Sequence, residues 1–230
     1  YRKDPKSEKE LIQGFKSEGI DESFDQEGIH RFLDDVLREV NIYDNDITIL
    51  QNRFVSPLSN IGTDFYKYYL TDTIPVDGEQ CIELSFVPFT PESFGFTGRI
   101  YVPLGDSTMF VKRVKMNVAK SINLNYVENI YMVQDFEKAD DGSRLKVKDD
   151  LMVEFRIMSS APGMYARRIT KYKDHNFKEP ESTEIFGKEG RTILAENALS
   201  MPEKFWNDNR LIPIKRSESS VDKMLNRMRE

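Results

Sequence analysis

FYKYYLT at Phe65–Thr71, CIELSFV at Cys81–Val87, FTGRIYV at Phe96–Val102, MFVKRVKMNV at Met109–Val118 and INLNYVENIYMVQDF at Ile122–Phe136 follow one another with only short breaks between them. Each is rich in aromatic and β-branched residues, and the breaks hold residues that turn a chain: Asp77-Gly78, Pro88 to Pro91, Gly105-Asp106. Within the runs, apolar and polar residues alternate. Ile82, Leu84 and Phe86 share a face, as do Phe110, Val114, Met116 and Val118, with Lys112 the exception. The pattern continues through Tyr126, Ile130, Met132 and Phe136, then through Leu151, Val153, Phe155 and Ile157 with Glu154 and Arg156 opposite. One buried face and one wet face suit antiparallel strands. The fold class predicted is α+β, built on a mostly antiparallel sheet.

Working outward, Asp140-Asp141-Gly142-Ser143 predicts a hairpin loop between Gln134–Lys138 and Leu145–Lys148. Tyr165–Lys173 predicts one more strand. Arg167, Arg168, Lys171 and Lys173 crowd it, and such charge marks a sheet edge. Upstream, Ile29, Phe32, Leu33, Val36, Leu37 and Val40 recur at the spacing of an amphipathic helix, with start residues at Asp25 to Gly28 and a stop at Asn41. A helix this short is stabilised by packing, and the sheet is its predicted partner. Ile47–Leu50 predicts a short strand and Asn52–Ile61 a loop.

The chain so divides in three. Residues 1–27 form a charge-dense connecting segment with a short helix around Leu11, Ile12 and Phe15. Residues 28–178 form the helix-plus-sheet domain. Residues 179–230 begin as a polar loop, with a turn or short helix at Pro202–Trp206 broken by Asn207–Asn209. A last helix, capped at Ser217 to Ser220, carries Val221, Met224, Leu225 and Met228. With Tyr1 first and a helical pattern last, both ends are expected to continue in a longer protein.

Composition narrows the function classes. Hydrophobic residues make up 39% and charged residues 31% of the chain, a polar globular balance. No apolar run approaches the roughly 20 residues of a spanning helix. The net charge of −6, with no basic stripe, argues against nucleic acid as a partner. Cys81 is the one cysteine, so neither a disulfide framework nor a cysteine zinc site is expected. That usage fits the cytoplasm, and equally a periplasmic protein that avoids stray thiols.

Catalytic chemistry has little to work with. His30 falls on the polar side of its helix and His175 in a charged loop beside Asp174, and neither belongs to an H-E-x-x-H pair. Both read as surface histidines. No G-x-S-x-G elbow is present, and Cys81 reads as a quiet small strand residue. Asp44-Asn45-Asp46 and Asp135 to Asp141 miss the D-x-[DN]-x-[DN]-G calcium loop and read as turns. The glycines at Gly95–Gly98 and Gly187–Gly190 lack the Lys-Ser/Thr of a phosphate loop. No cofactor and no metal is predicted. The aromatic residues of the sheet read first as core. A second reading is an apolar groove for an acyl chain or peptide on the concave side of a curved sheet, lined by Tyr66, Tyr68, Phe86, Tyr126 and Met132.

A set of phrases carries a resemblance. They are Asn41-Ile42-Tyr43-Asp44-Asn45-Asp46-Ile47, Phe54-Val55-Ser56-Pro57-Leu58, Phe65-Tyr66-Lys67-Tyr68-Tyr69 with Asp72-Thr73, and Phe86-Val87-Pro88. They continue as Gly95-Phe96-Thr97-Gly98-Arg99-Ile100-Tyr101-Val102, Ile122-Asn123-Leu124-Asn125-Tyr126-Val127, and Phe205-Trp206 with Asn209-Arg210 and Pro213. In order and spacing they resemble a family of outer-membrane proteins of Gram-negative bacteria. There a signal peptide and a carboxypeptidase-regulatory-like β-sandwich come first, a domain of unknown function follows, and a large β-barrel ends the chain. The resemblance implies a periplasmic middle region beside that barrel and implies no peptidase activity. The F-x-G-x-I-Y-V strand also resembles lipoprotein-carrier folds, LolA/LolB-like half-barrels with helices on the concave face. That likeness speaks to fold more than to function.

The expected function is thus a non-enzymatic periplasmic module of an outer-membrane barrel protein. Its partners would be the adjacent barrel of the same polypeptide and a lipid, peptide or periplasmic protein bound through the sheet. The alternative is a carboxylate-based hydrolase of glycans or peptides, which needs acids converging in a cleft.

Overall fold

A computed structural model describes residues 2–4, 9–14, 39–49, 52–118, 122–124, 127–156, 164–175 and 192–210. Four short strands come first: β1 (Arg2–Asp4), β2 (Lys9–Ile12), β3 (Asp46–Ile49) and β4 (Asn52–Val55). One helical turn, α1 (Gly62–Phe65), leads into β5 (Tyr66–Val76), β6 (Glu79–Pro88), β7 (Phe96–Pro103) and β8 (Arg113–Val118). Then follow β9 (Val127–Lys138), β10 (Arg144–Phe155), β11 (Met164–Lys171), β12 (Thr192–Leu194) and helix α2 (Glu203–Asn209). The described residues fall into two compact units, one within Glu27–Lys173 and one drawn from Tyr1–Gln26 with Asp174–Ser217.

In the larger unit β5 to β11 form one open, seven-stranded antiparallel meander, each strand pairing with the next in the chain. Local sequence explains the turns. Asp77 and Gly78 both take positive φ, 48° and 84°, and Val76 pairs with Glu79 across them. That is the two-residue turn an Asp-Gly pair favours, because its hand matches the twist of the strands it joins. The predicted Asp140–Ser143 loop does close β9 onto β10, with the Asp141 carboxylate accepting the Ser143 N–H at 2.9 Å.

The register carries straight rows across the sheet. One runs Tyr68, Phe86, Gly98, Met116, Met132, Leu151, Arg168; the next runs Leu70, Leu84, Ile100, Val114, Gln134, Asp149, Thr170. Both lie on the face that holds the main apolar core. The β3–β4 hairpin forms its own two-stranded sheet and contributes to that same core. Burying Ile47, Ile49 and Phe54 of the hairpin, with Val40 and Ile42 just before it, contributes roughly 8–15 kcal/mol before ordering entropy is subtracted, so this segment is core and not a loose flap.

Several expectations need correcting. Asn52–Val55, predicted as loop, is β4, because it pairs with Asp46–Ile49. Leu11 and Ile12, predicted in a helix, stand in β2, where they pair with β1 and β12. The runs Leu145–Lys148 and Leu151–Ile157 join in one strand through Phe155, with an irregularity at Lys146/Lys148. The second face is not simply wet. Cys81, Tyr101, Glu83, Tyr131, Val133, Asp150 and Met152 are all buried there, whereas Ile82 is half-exposed. The predicted helix lies outside the described residues except at Glu39 and Val40, which are not helical; His30, 176–191 and the helix after Ser217 lie outside them too.

The smaller unit is the sheet β1–β2–β12, in which β2 and β12 run parallel, and the Ala195 N–H donates to the Ile12 carbonyl at 2.9 Å. Gly14 packs on Phe205 and Trp206 of α2, and the helix continues through Asn207–Asn209, where a break was predicted.

Candidate functional site

Tyr66 and Tyr68 project from β5 onto the apolar face, and each hydroxyl reaches the hairpin segment. Tyr66 Oη donates to the Val55 carbonyl and accepts the Phe96 N–H at 3.0 Å; Tyr68 Oη donates to the Pro57 carbonyl at 2.7 Å. At the other end of the segment Gln134 Nε2 donates to the Val40 carbonyl at 2.8 Å, joined by Lys146 Nζ at 3.1 Å. Lys146 also pairs with Glu39 at 2.8 Å, and the Glu39 carboxylate accepts the Tyr172 hydroxyl at 3.0 Å. The sheet so holds the backbone carbonyls of residues 40, 55 and 57, contacts that do not depend on those residues' side chains. Burial pushes the Tyr66 phenol well above its ordinary value and the Tyr68 phenol up to about 12.

Four of the five predicted groove residues therefore share one face. Tyr66, Tyr68 and Phe86 pack edge to face or tilted, with centroids 5.5–6.4 Å apart. Met132 lies farther along the same row. Tyr66, Phe86 and Met132 are 1%, 0% and 1% exposed, so a ligand reaching them would have to displace protein. Tyr126 lies outside the described residues.

Two features were not read from the sequence. Asp149 and Asp150, consecutive on β10, are buried on opposite faces, and each meets an arginine of β11. Arg167 grips Asp150 with two hydrogen bonds of 2.7 Å, and Arg168 Nη2 meets Asp149 at 2.8 Å. β11 is a sheet edge, as its charge suggested, but both arginines serve buried carboxylates. Their signal was two adjacent acids in a strand with Arg-Arg in the next. Asp149 also accepts Gln134 Nε2 at 3.1 Å, so Gln134 links this ion pair to the hairpin.

The second feature is the far edge. On β5 and β6, Tyr69 (50%), Leu70 (73%) and Val87 (36%) stand exposed, with Phe89 (51%) just beyond the end of β6, and Lys67 Nζ sits 5.4 Å from the Phe89 ring centre.

The residues weighed for chemistry lie apart. His175 is exposed. Cys81 is buried, and burial together with the Glu79 charge pushes its thiol up. Asp46 pairs with Arg53. Asp106, hydrogen-bonded by Thr108 and Lys138, is held down to about 2, and Ser143 lowers Asp141. Among the described residues no group of three or more His, Cys, Asp or Glu could hold a metal ion.

The model of a family of unknown function, DUF5686, matches residues 1–173. The chain belongs to that family. The matched span takes in the β3–β4 hairpin and all seven strands of the large sheet, so the DUF5686 region includes the aromatic face, the hairpin that fills it and the exposed β5 edge. No curated protein and no solved structure matches the chain.

Proposed function

We propose that this DUF5686 region is a non-enzymatic binding module of an outer-membrane barrel protein, held on the periplasmic side and working through its sheet. The phrases running from Asn41 to Pro213 support the setting, since they resemble proteins in which such a region precedes a barrel. The finer fold belongs to the same reading: a sheet bent as a half-barrel of the lipoprotein-carrier kind, with the predicted helix over 29–40 on its concave face. Of the partners such a sheet takes, a lipid is less favoured, because the protein's own hairpin already packs on the aromatic face. A polypeptide is favoured at the β5 end. The gathering of exposed Tyr69, Val87 and Phe89 at the β5 edge, with Leu70 exposed on the other face of the same edge, carries this reading, since apolar groups clustered in this way mark contact sites.

The test places a photo-crosslinking residue at Tyr69 in the native protein in its membrane, with Asp140, in the β9–β10 loop, as control. Crosslinks to polypeptide from position 69 in excess of those from 140 are expected. Equal yields from both positions, or adducts to lipid alone, would overturn the reading.

A further inference from the structure

We infer that β5 is an acceptor strand, taking an extended segment of a second protein that sets a carboxylate against Lys67 and a cation against Asp72. The inference rests on the binding-module reading and names its partner. β5 ends the sheet, and no described strand pairs with its outer edge. Along such an edge, N–H and C=O pairs face outward every second residue, about 7 Å apart, and another extended backbone is the chemistry that satisfies them. Apolar side chains flank the edge on both sides. Tyr69 lies opposite Ser85 on one face, beside Val87, and Leu70 lies opposite Leu84 on the other.

Charge defines the partner further. Lys67 pairs with Val87 and Asp72 with Glu83, so both project on the same face of the sheet. Both are exposed, and among the described residues neither has an ion-pair partner. A segment with opposite charges at matching positions would gain two cross-strand pairs, and one with the charges exchanged would meet two repulsions. A second copy of this chain fits less well. Two β5 strands related by a two-fold axis, with Lys67 against Asp72, would set Tyr69 against Tyr69, and Thr71, the extra residue in the register between Leu70 and Asp72, would interrupt the ladder once from each copy within five pairs. The bulge and Pro75 act against self-pairing and limit the added strand to a short one.

The experiment uses the 230-residue chain and three labelled nine-residue peptides with β-branched residues at alternate positions. The first carries Lys and Glu placed to meet Asp72 and Lys67 in an antiparallel ladder; the second has them exchanged; the third is the first with outward backbone nitrogens methylated. Anisotropy reads affinity and amide exchange reads protection. The first peptide is expected to bind about fivefold more tightly than the second, and the third not to bind, with protection confined to β5. Lys67→Glu combined with Asp72→Lys should invert the ranking of the first two. Equal affinities, no binding, protection away from β5, or a dimer of the chain that buries β5 would each overturn the inference. Crosslinks from position 69 in the native protein without a charge preference among the peptides would sink the acceptor-strand assignment alone. Their absence would sink the binding-module reading as well.

Discussion

Gly98 sits in the middle of a row that crosses all seven strands, and its missing side chain is what lets β7 and β8 lie together there. A Cβ at this position would stand 2.1 Å from the Lys115 carbonyl oxygen and 2.8 Å from the Met116 Cα, both backbone atoms that cannot swing aside. Gly98→Ala should therefore cost about 3 kcal/mol, a full overpacking penalty, read as a fall in urea midpoint at unchanged slope. A cost below about 1 kcal/mol would show that the strands separate easily at this point. The two tyrosines that hold the hairpin are separable in the same way. Tyr68→Phe removes one hydrogen bond and should cost about 1 kcal/mol, whereas Tyr66→Phe strands both the Val55 carbonyl and the Phe96 N–H and should cost about 2–3 kcal/mol. Their titration gives an alkaline signature. Burial pushes the Tyr68 phenol up to about 12 in the folded protein, against the ordinary 10.0 of a tyrosine, so the folded state prefers the neutral form. Stability from this group is fully present below pH 10 and is lost as pH rises toward 12. Denaturation midpoints of Tyr68→Phe should fall less steeply over that window than those of the unaltered protein; parallel curves would refute the assignment.

At the scale of elements, β10 and β11 depend on ion pairs within a largely apolar layer. Breaking a buried pair by removing one partner is far costlier than replacing both. Asp149→Ala should cost about 3–5 kcal/mol, since it leaves Arg168 and the Gln134 amide facing an empty place. Asp149→Leu with Arg168→Leu should cost markedly less, and a double variant as unstable as the single one would mean that Gln134, not the arginine, is what Asp149 serves. Which elements could be read in advance follows from their length. Runs of six or more residues, most of them alternating, identified β5 to β11, because a two-residue period is legible over that length. The four residues of β2 and of β4 are too few to separate a period of 2 from 3.6, and β4 ends against Ser56-Pro57, which reads as a turn. The structure puts Tyr66, Tyr68, Phe86 and Met132 on one face. What filled that face was not legible, because alternation says which way a side chain points and nothing about which distant segment it meets. The same limit hid the partners of Asp149 and Asp150.

At the scale of the molecule, the two units differ greatly in what holds them. The larger has a continuous core running from Val40 to Val153, while the described buried side chains of the smaller are Leu11, Ile193 and Ala198, beside the Gly14 contact with Phe205 and Trp206. So small an apolar core supplies little stability, and the unit's three strands are three or four residues long. The smaller unit should therefore unfold first and apart from the seven-stranded sheet. The sequence provides a clean probe, because Trp206 is its one tryptophan and belongs to the smaller unit. On urea titration, tryptophan fluorescence should change at a lower midpoint than the far-ultraviolet dichroism, which is dominated by the large sheet. Gly14→Val, whose side chain would collide with the Phe205 ring at a Cβ distance of 2.6 Å, should move the fluorescence transition and leave the dichroism transition in place. Coincident transitions that shift together in this variant would make the chain one cooperative unit.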